Sequence, residues 1–138
     1  MSKLIITRTS EWNNRAREFG IYIDNEKIGT ISNGETQEFD IEPGKHKING
    51  KIDWCKSPIM EFEIVSNESK EIEIGGFKNS KIIMPIGLAI MPLFFLIKFL
   101  LKIESNLLIL FVGIGFLFPL YYMTIGKNKY LTIREKID

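Results

Sequence analysis

The chain contains one histidine, His46, and one cysteine, Cys55, two side chains that commonly act in catalysis and in zinc binding. Zinc and related metals need several converging ligands, and these two residues differ in parity, so an unbroken strand points them to opposite faces. A cysteine nucleophile needs a nearby base and a lowered pKa, and the chain offers no second histidine. We therefore interpret His46 as a cap on the turn at Pro43–Gly44 and Cys55 as a small residue ending a strand, with no metal bound.

Paired carboxylates form the next chemical pattern, at Glu61 and Glu63 and again at Glu71 and Glu73. Both pairs occupy the polar positions of alternating runs, where cross-strand contacts with lysines explain them. The sequence contains no glycine-rich phosphate loop and no serine–histidine–aspartate set. These observations predict a protein that is not an enzyme, has no catalytic residue and needs no cofactor.

Two aromatic residues are candidates for contact with a partner, Trp12 and Tyr22. Trp12 falls outside any regular alternation, so it either marks a contact surface or covers an edge of the β-structure. Tyr22 belongs to an alternating run, where an exposed patch or an open sheet edge would be available to a partner. Trp54 shares the parity of Ile48 and Ile52, which predicts that it is the central aromatic residue of the core.

The first 77 residues have the hydrophobic pattern of short strands separated by turns. Apolar residues alternate with polar ones most clearly over 45–54, and Asn33–Gly34 and Pro43–Gly44 are strong turn signals. About seven strands in this length predict a small all-β sandwich. The expected strands are 3–7, 19–23, 28–31, 36–41, 45–54, 59–65 and 70–74.

Residues 82–126 have a different composition, with two long apolar stretches. We predict transmembrane helices over 82–101 and 107–125, each close to the length that spans a bilayer core of about 30 Å. A linker at 78–81 precedes them. The alternative is a helical hairpin buried in a soluble protein, although residues 1–77 are too few to cover two helices that are apolar on every side. The predicted fold class is an all-β N-terminal sandwich with a C-terminal two-helix transmembrane hairpin.

The tail at 127–138 is basic and has two interpretations. Its β-like run is typical of a strand returning to the sandwich, while its lysines equally suit a tail resting on anionic headgroups. Positive charge is heavier beside the two termini than beside the loop between the helices. This bias predicts a multi-pass protein of a bacterial inner (cytoplasmic) membrane with both termini cytoplasmic. The single cysteine fits a reducing compartment, and the first residues do not resemble a signal peptide.

Four stretches resemble the PEGA-type domain, a small β-sandwich. Residues 21–30 read Ile-Tyr-Ile-Asp-Asn-Glu-Lys-Ile-Gly-Thr and look like the family's opening strand, its Asp-containing turn and its Gly-Thr step. Residues 42–48 resemble the family's Pro-Gly-x-His entry into a central strand, and the match closes with 61–65 and 70–74. This resemblance covers about residues 19–75. The layout of the whole chain also resembles that of uncharacterised bacterial proteins in which such a module precedes two membrane spans. It departs at 52–55, where typical members carry a Gly-aromatic corner, and it implies a binding or spacer unit without chemistry.

The net charge is only +1, and lysine and glutamate alternate along the same segments, which argues against nucleic acid as a partner. We therefore expect a membrane-tethered, non-catalytic binding or scaffolding module whose partners are the lipid bilayer and another protein. The alternative is a subunit of a membrane-embedded assembly. In that case the helices form a homo-oligomer, for example through Gly113 and Gly115, and the sandwich is a regulatory cap. An exposed patch or open sheet edge on the sandwich would favour the first hypothesis.

Overall fold

The computed structural model describes residues 1–77, 79–102 and 106–136, which form two β-sheets and a helical segment. The strands are β1 (Ser2–Arg8), β2 (Phe19–Ile23), β3 (Glu26–Ile31), β4 (Thr36–Ile41), β5 (Gly44–Ile52), β6 (Cys55–Lys56), β7 (Met60–Ile64), β8 (Ser69–Gly75) and β9 (Thr132–Glu135). The helices are α1 (Ser80–Leu101) and α2 (Asn106–Thr124), and a 3-10 turn follows at Lys127–Lys129. We call these three elements together the helical segment.

Two sheets enclose one apolar core in the β-domain, which we define as residues 1–77 and 130–136. The first sheet has the strand order β4-β1-β8-β9, and the second has the order β3-β2-β5-β6, with β7 also paired to β5. Inward and outward positions alternate along the strands, as a period of two requires. The core side chains are Leu4, Ile6, Phe19, Ile21, Ile23, Ile31, Ile48, Ile52, Cys55, Phe62, Ile64, Ile72, Ile74 and Leu131.

The first sheet is mixed, because β1 runs antiparallel to β4 and parallel to β8. Parallel neighbours need a long connection, and here all strands of the second sheet lie between β1 and β8 in the sequence. Strand β9 then pairs antiparallel with β8, from Gly75↔Thr132 to Ile72↔Glu135. The residue before β9, Leu131, is fully buried in the core. The chain therefore returns, after the helices, to the sheet that it left before them.

The two ends of the β-domain have different neighbours. At the end that we call helix-proximal, β1 stops at Arg8, β8 stops at Gly75 and β9 starts at Thr132. The second sheet contributes Phe19 to this end, because the Arg8 guanidinium carbon lies 3.6 Å from the centroid of the Phe19 ring. The opposite, distal end carries the tight turn between β2 and β3, which begins at Asp24.

Helix α1 follows β8 after a short connection and exposes most of its described apolar side chains. Among the described residues one helix, Lys81–Leu101, is long and apolar enough to cross a membrane, and none of that stretch is buried by protein. The exposed large apolar side chains of α1 are Ile82, Ile86, Leu88, Ile90, Met91, Leu93, Phe95, Leu96, Phe99, Leu100 and Leu101.

The predicted fold class is wrong in its strand number and in its helices. Nine strands form instead of about seven, because a turn ends the predicted strand 45–54 at Ile52 and the additional two-residue strand β6 follows it, and because residues of the tail form β9. A two-helix transmembrane hairpin is not supported, since only Lys81–Leu101 qualifies as a span among the described residues. Helix α2 has 19 residues and is not among the candidate spans found in the described residues.

Parts of three further predictions lie outside the described residues. They are Lys78 of the predicted linker, residues 103–105 of the loop between the predicted spans, and residues 137–138 of the tail.

Trp54 is exposed, which contradicts its predicted place at the centre of the core. Its side chain is 58% exposed, on the two-residue turn that joins β5 to β6. Ile52 and Cys55 pair across this turn, and Asp53 has a φ of 49°, so the alternation of β5 ends at Ile52. Phe19 and Phe62 supply the aromatic side chains of the core instead.

Replacing Leu131 by alanine should lower the free energy of unfolding of the β-domain. A buried leucine truncated to alanine loses roughly 2–5 kcal/mol, because apolar burial is lost and a cavity remains. Urea denaturation of the full chain in detergent micelles, followed by tryptophan fluorescence, measures the change. Leu96→Ala in α1 is the matched control, since Leu96 is exposed. Equal unfolding midpoints for the two variants would contradict the docked position of Leu131.

Candidate functional site

A cluster of polar side chains at the distal end is centred on His46. Its Nδ1 lies 2.7 Å from Oδ2 of Asp24, and its Nε2 lies 2.9 Å from the backbone carbonyl oxygen of Glu42. The other carboxylate oxygen of Asp24 accepts the backbone N–H of Lys47 at 2.9 Å. The imidazole also contacts Phe62, with the ring centroids 5.8 Å apart. His46 therefore caps the turn before β5 at the rim of the core, and this confirms its structural interpretation.

Both ring nitrogens of His46 face hydrogen-bond acceptors, which favours the doubly protonated imidazolium. The hydrogen bond with Asp24, followed by the one with the Glu42 carbonyl, raises the pKa of His46. In turn, the hydrogen bonds from His46 and from the Lys47 N–H lower the pKa of Asp24. A general base needs a nitrogen lone pair directed at a substrate, and here both nitrogens are occupied. The arrangement acts as a clamp between two turns.

An open depression with a cavity volume of about 400 Å³ includes this cluster. Strands β5 and β7 and the turn after β2 line it with Asp24, Lys45, His46, Lys47, Glu61, Phe62 and Glu63. Across the strands, Lys47 Nζ lies 3.0 Å from Oε1 of Glu61. Both signs of charge alternate over this surface, which suits polar contact with another macromolecule better than enclosure of a small apolar ligand.

Cys55 lies at the helix-proximal end and is buried, so the structure does not bring it together with His46. Burial, and then the charge of Asp53, raises the pKa of its thiol and disfavours the reactive thiolate. In residues 1–77, 79–102 and 106–136, no three histidine, cysteine, aspartate or glutamate side chains are arranged to hold a metal ion.

The two residues predicted to contact a partner lie in separate elements. Trp12 is 77% exposed, in the segment between β1 and β2. Tyr22 is half-buried on the outer face of β2, and the Lys51 ammonium lies 3.9 Å from the centroid of its ring. This cation–π contact covers part of the tyrosine. The role of either residue as a partner contact stays a prediction.

A buried polar network holds residues 9–18, between β1 and β2, which we call the Trp12 segment. The sequence reasoning did not find this network. Arg8 is buried, and its Nη1 donates to the carbonyl oxygens of Arg17 and Ile31. Its Nη2 donates to the carbonyl oxygen of Asn14 at 2.7 Å. Burial lowers the pKa of the guanidinium, whereas nearby carboxylates oppose that shift. Arg8 continues the inward parity of β1, and this parity was the sequence signal that could have identified it.

Comparison with known proteins gives no relative from which a function could be transferred. No protein-family model matches the chain, and no curated protein matches it. The resemblance to PEGA-type domains over about residues 19–75 therefore stays a prediction, and it rests on the residues at 21–30, 42–48, 61–65 and 70–74.

The pair of His46 and Asp24 predicts how stability depends on pH. The folded pKa of His46 is raised above its ordinary 6.5, so its stabilisation is complete below pH 6.5 and is lost as the pH rises through the folded pKa. The folded pKa of Asp24 lies below its ordinary 3.8, so its stabilisation is present above 3.8 and is lost as the pH falls through the folded pKa. The pair therefore contributes most between about pH 4 and 6.5.

Urea unfolding of the wild-type chain and of His46→Gln at several pH values measures this contribution. His46 is the only histidine, so the comparison isolates its titration. For a partly exposed pair we expect an advantage of about 1 kcal/mol or less at pH 5.5, shrinking as the solution becomes alkaline. Asp24→Asn, which retains an acceptor for the Lys47 N–H, should remove most of the same pH dependence. A difference that stays constant with pH would contradict the protonated clamp.

Proposed function

We propose that the chain is a membrane-tethered, non-catalytic binding or scaffolding module that presents its β-domain at the membrane surface. The observation that carries the proposal is the exposure of α1, in which protein buries none of the apolar stretch over Lys81–Leu101. Exposure of so many apolar side chains to water is unfavourable, whereas the hydrocarbon core of a bilayer accepts them. The one charge within this stretch, apart from Lys81 at its start, is Lys98, whose long side chain can reach the headgroups.

The sheet pairing supports a common side of the membrane for both ends of the helical segment. Strand β8 precedes α1, and β9 follows α2 and pairs with β8. These strands therefore lie on the same face of any bilayer that α1 enters. Basic residues follow the helical segment on this face, at Lys127, Lys129, Arg134 and Lys136. This face carries more positive charge than the loop between the helices. Under the positive-inside rule, that difference favours the cytoplasmic face of a bacterial inner membrane.

The distal end is the part of the β-domain that a protein partner would meet first, because it points away from the helical segment. It carries the depression beside His46, with lysines and glutamates of β5 and β7 around it. Tethering raises the effective concentration of this surface for a partner at the same membrane. The function consists of holding and presenting a surface, and no covalent step is part of it.

Cysteine accessibility in intact cells tests the tether and its orientation. The variants are Glu26→Cys at the start of β3, beside the distal turn, and Asn106→Cys beyond α1, each in a Cys55→Ser background, because both positions are exposed. A membrane-impermeant thiol reagent should label position 106 and leave position 26 unlabelled until the cells are lysed. Cys55→Ser alone is the matched control for background labelling.

The other outcomes are equally specific. Labelling at 26 but not at 106 would reverse the orientation and direct the partner search outside the cytoplasm. Equal labelling of both positions in intact cells, or of neither before lysis, would show that α1 does not separate them across a membrane, and the proposed tether would be abandoned.

A further inference from the structure

Both tryptophans of the chain expose most of their side chains to solvent. Trp12 is 77% exposed and Trp54 is 58% exposed, and the sequence contains no other tryptophan. A tryptophan combines a large apolar ring with one N–H donor. At the surface, the ring does not contribute the stabilisation that its burial would give. Two such residues on one small domain call for a common explanation.

The Trp12 segment is attached to the point where the chain leaves the sheet for α1. The carboxylate of Glu11 accepts the backbone N–H of Gly76, the residue that follows β8. Two residues after Trp12, Asn14 accepts a hydrogen bond from the hydroxyl of Tyr130 at 3.4 Å, through its Oδ1. Tyr130 lies just after the helical segment. Trp12 is therefore held beside both connections to that segment.

Trp54 lies at the same end of the β-domain. Its neighbour Asp53 forms an ion pair with Arg17, at the far end of the Trp12 segment. On the other side of the turn, the Lys56 carbonyl accepts the N–H of Leu131 at 3.4 Å, just before β9. The tip of the β5–β6 hairpin thus stands between the Trp12 segment and the chain returning from the helices.

Exposed basic side chains accompany the two tryptophans at this end. They are Arg15 in the Trp12 segment and Lys127 and Lys129 in the 3-10 turn. Tryptophan is enriched where a protein crosses the boundary between hydrocarbon and water, and basic residues there meet anionic headgroups. We call Trp12, Trp54, Arg15, Lys127 and Lys129 the tryptophan rim.

We propose that the tryptophan rim is a lipid-binding surface that seats the helix-proximal end of the β-domain in the headgroup layer. The inference rests on the proposed tether, because α1 defines where the bilayer begins. It adds a second attachment, which fixes the tilt of the β-domain and keeps the distal depression pointing away from the membrane. A protein contact through Trp12 is the competing interpretation, and continuity with α1 favours lipid.

Tryptophan fluorescence of the full chain in vesicles tests the proposal. The vesicles contain phosphatidylcholine and phosphatidylglycerol, with bromine on the acyl chain either close to the headgroup or close to the bilayer centre. Trp54→Phe reports on Trp12 alone, and Trp12→Phe reports on Trp54 alone. Both should lose more fluorescence to the shallow bromine than to the deep one, and both should be shielded from aqueous iodide. Because both side chains are exposed, the phenylalanine substitutions should leave the fold intact.

Two control reporters in the Trp12→Phe/Trp54→Phe background separate this proposal from the tether. Val65→Trp places the ring at an exposed distal position, and Phe95→Trp places it in the middle of α1. Quenching of Phe95→Trp by the deep bromine, with Val65→Trp open to iodide, is expected.

If Phe95→Trp is quenched by neither lipid, α1 is not inserted and the tether itself fails, together with the inference that rests on it. If Phe95→Trp is quenched by deep bromine while Trp12 and Trp54 are as open to iodide as Val65→Trp, the tether stands and the lipid-binding rim is overturned.

Discussion

The pairing of β9 with β8 is the contact on which the arrangement of the chain depends. It joins a strand that precedes the helical segment to one that follows it, and buried Leu131 anchors the junction in the core. Ion pairs from Arg134 to Glu73 and from Lys136 to Glu71 reinforce it across the strands. Both ends of the helical segment are therefore held at one sheet. The segment between β1 and β2 contacts both of them, at Gly76 and at Tyr130.

The helix-proximal end is organised around the buried guanidinium of Arg8. Burying a charge is costly unless its hydrogen-bonding groups are satisfied, and here carbonyl oxygens of the loop and of the end of β3 accept from both Nη atoms, while Nε has no hydrogen-bond partner among the described residues. These hydrogen bonds join the loop to the arginine, so the loop and the arginine stabilise each other. The ring of Phe19 covers one face of the guanidinium. As a result, the segment that carries Trp12 has a defined position.

The distal end is held together by hydrogen bonds of a histidine instead of an arginine. His46 connects two turns through Asp24 and the Glu42 carbonyl, and the surrounding surface carries lysines and glutamates of β5 and β7. One end of the β-domain therefore combines exposed aromatic and basic groups beside an apolar helix, while the other end is polar and has mixed charge. In the proposed function, the first end is seated on lipid and the second is available to a partner.

Local sequence patterns determined much of the secondary structure of this protein. The period of two predicted strands close to β1, β2, β4 and β7, since one buried and one wet face need only neighbouring residues. The apolar composition of 82–101 likewise predicted α1. The exposure of Trp54 depended on a two-residue turn that interrupts the alternation, and the number of strands depended on it too. Only the tertiary structure decided that β1 lies parallel to β8, that Arg8 is enclosed by loop carbonyls and that β9 closes the sheet. These features join residues far apart in the chain, and a pattern of neighbouring residues does not specify which distant partner each will meet.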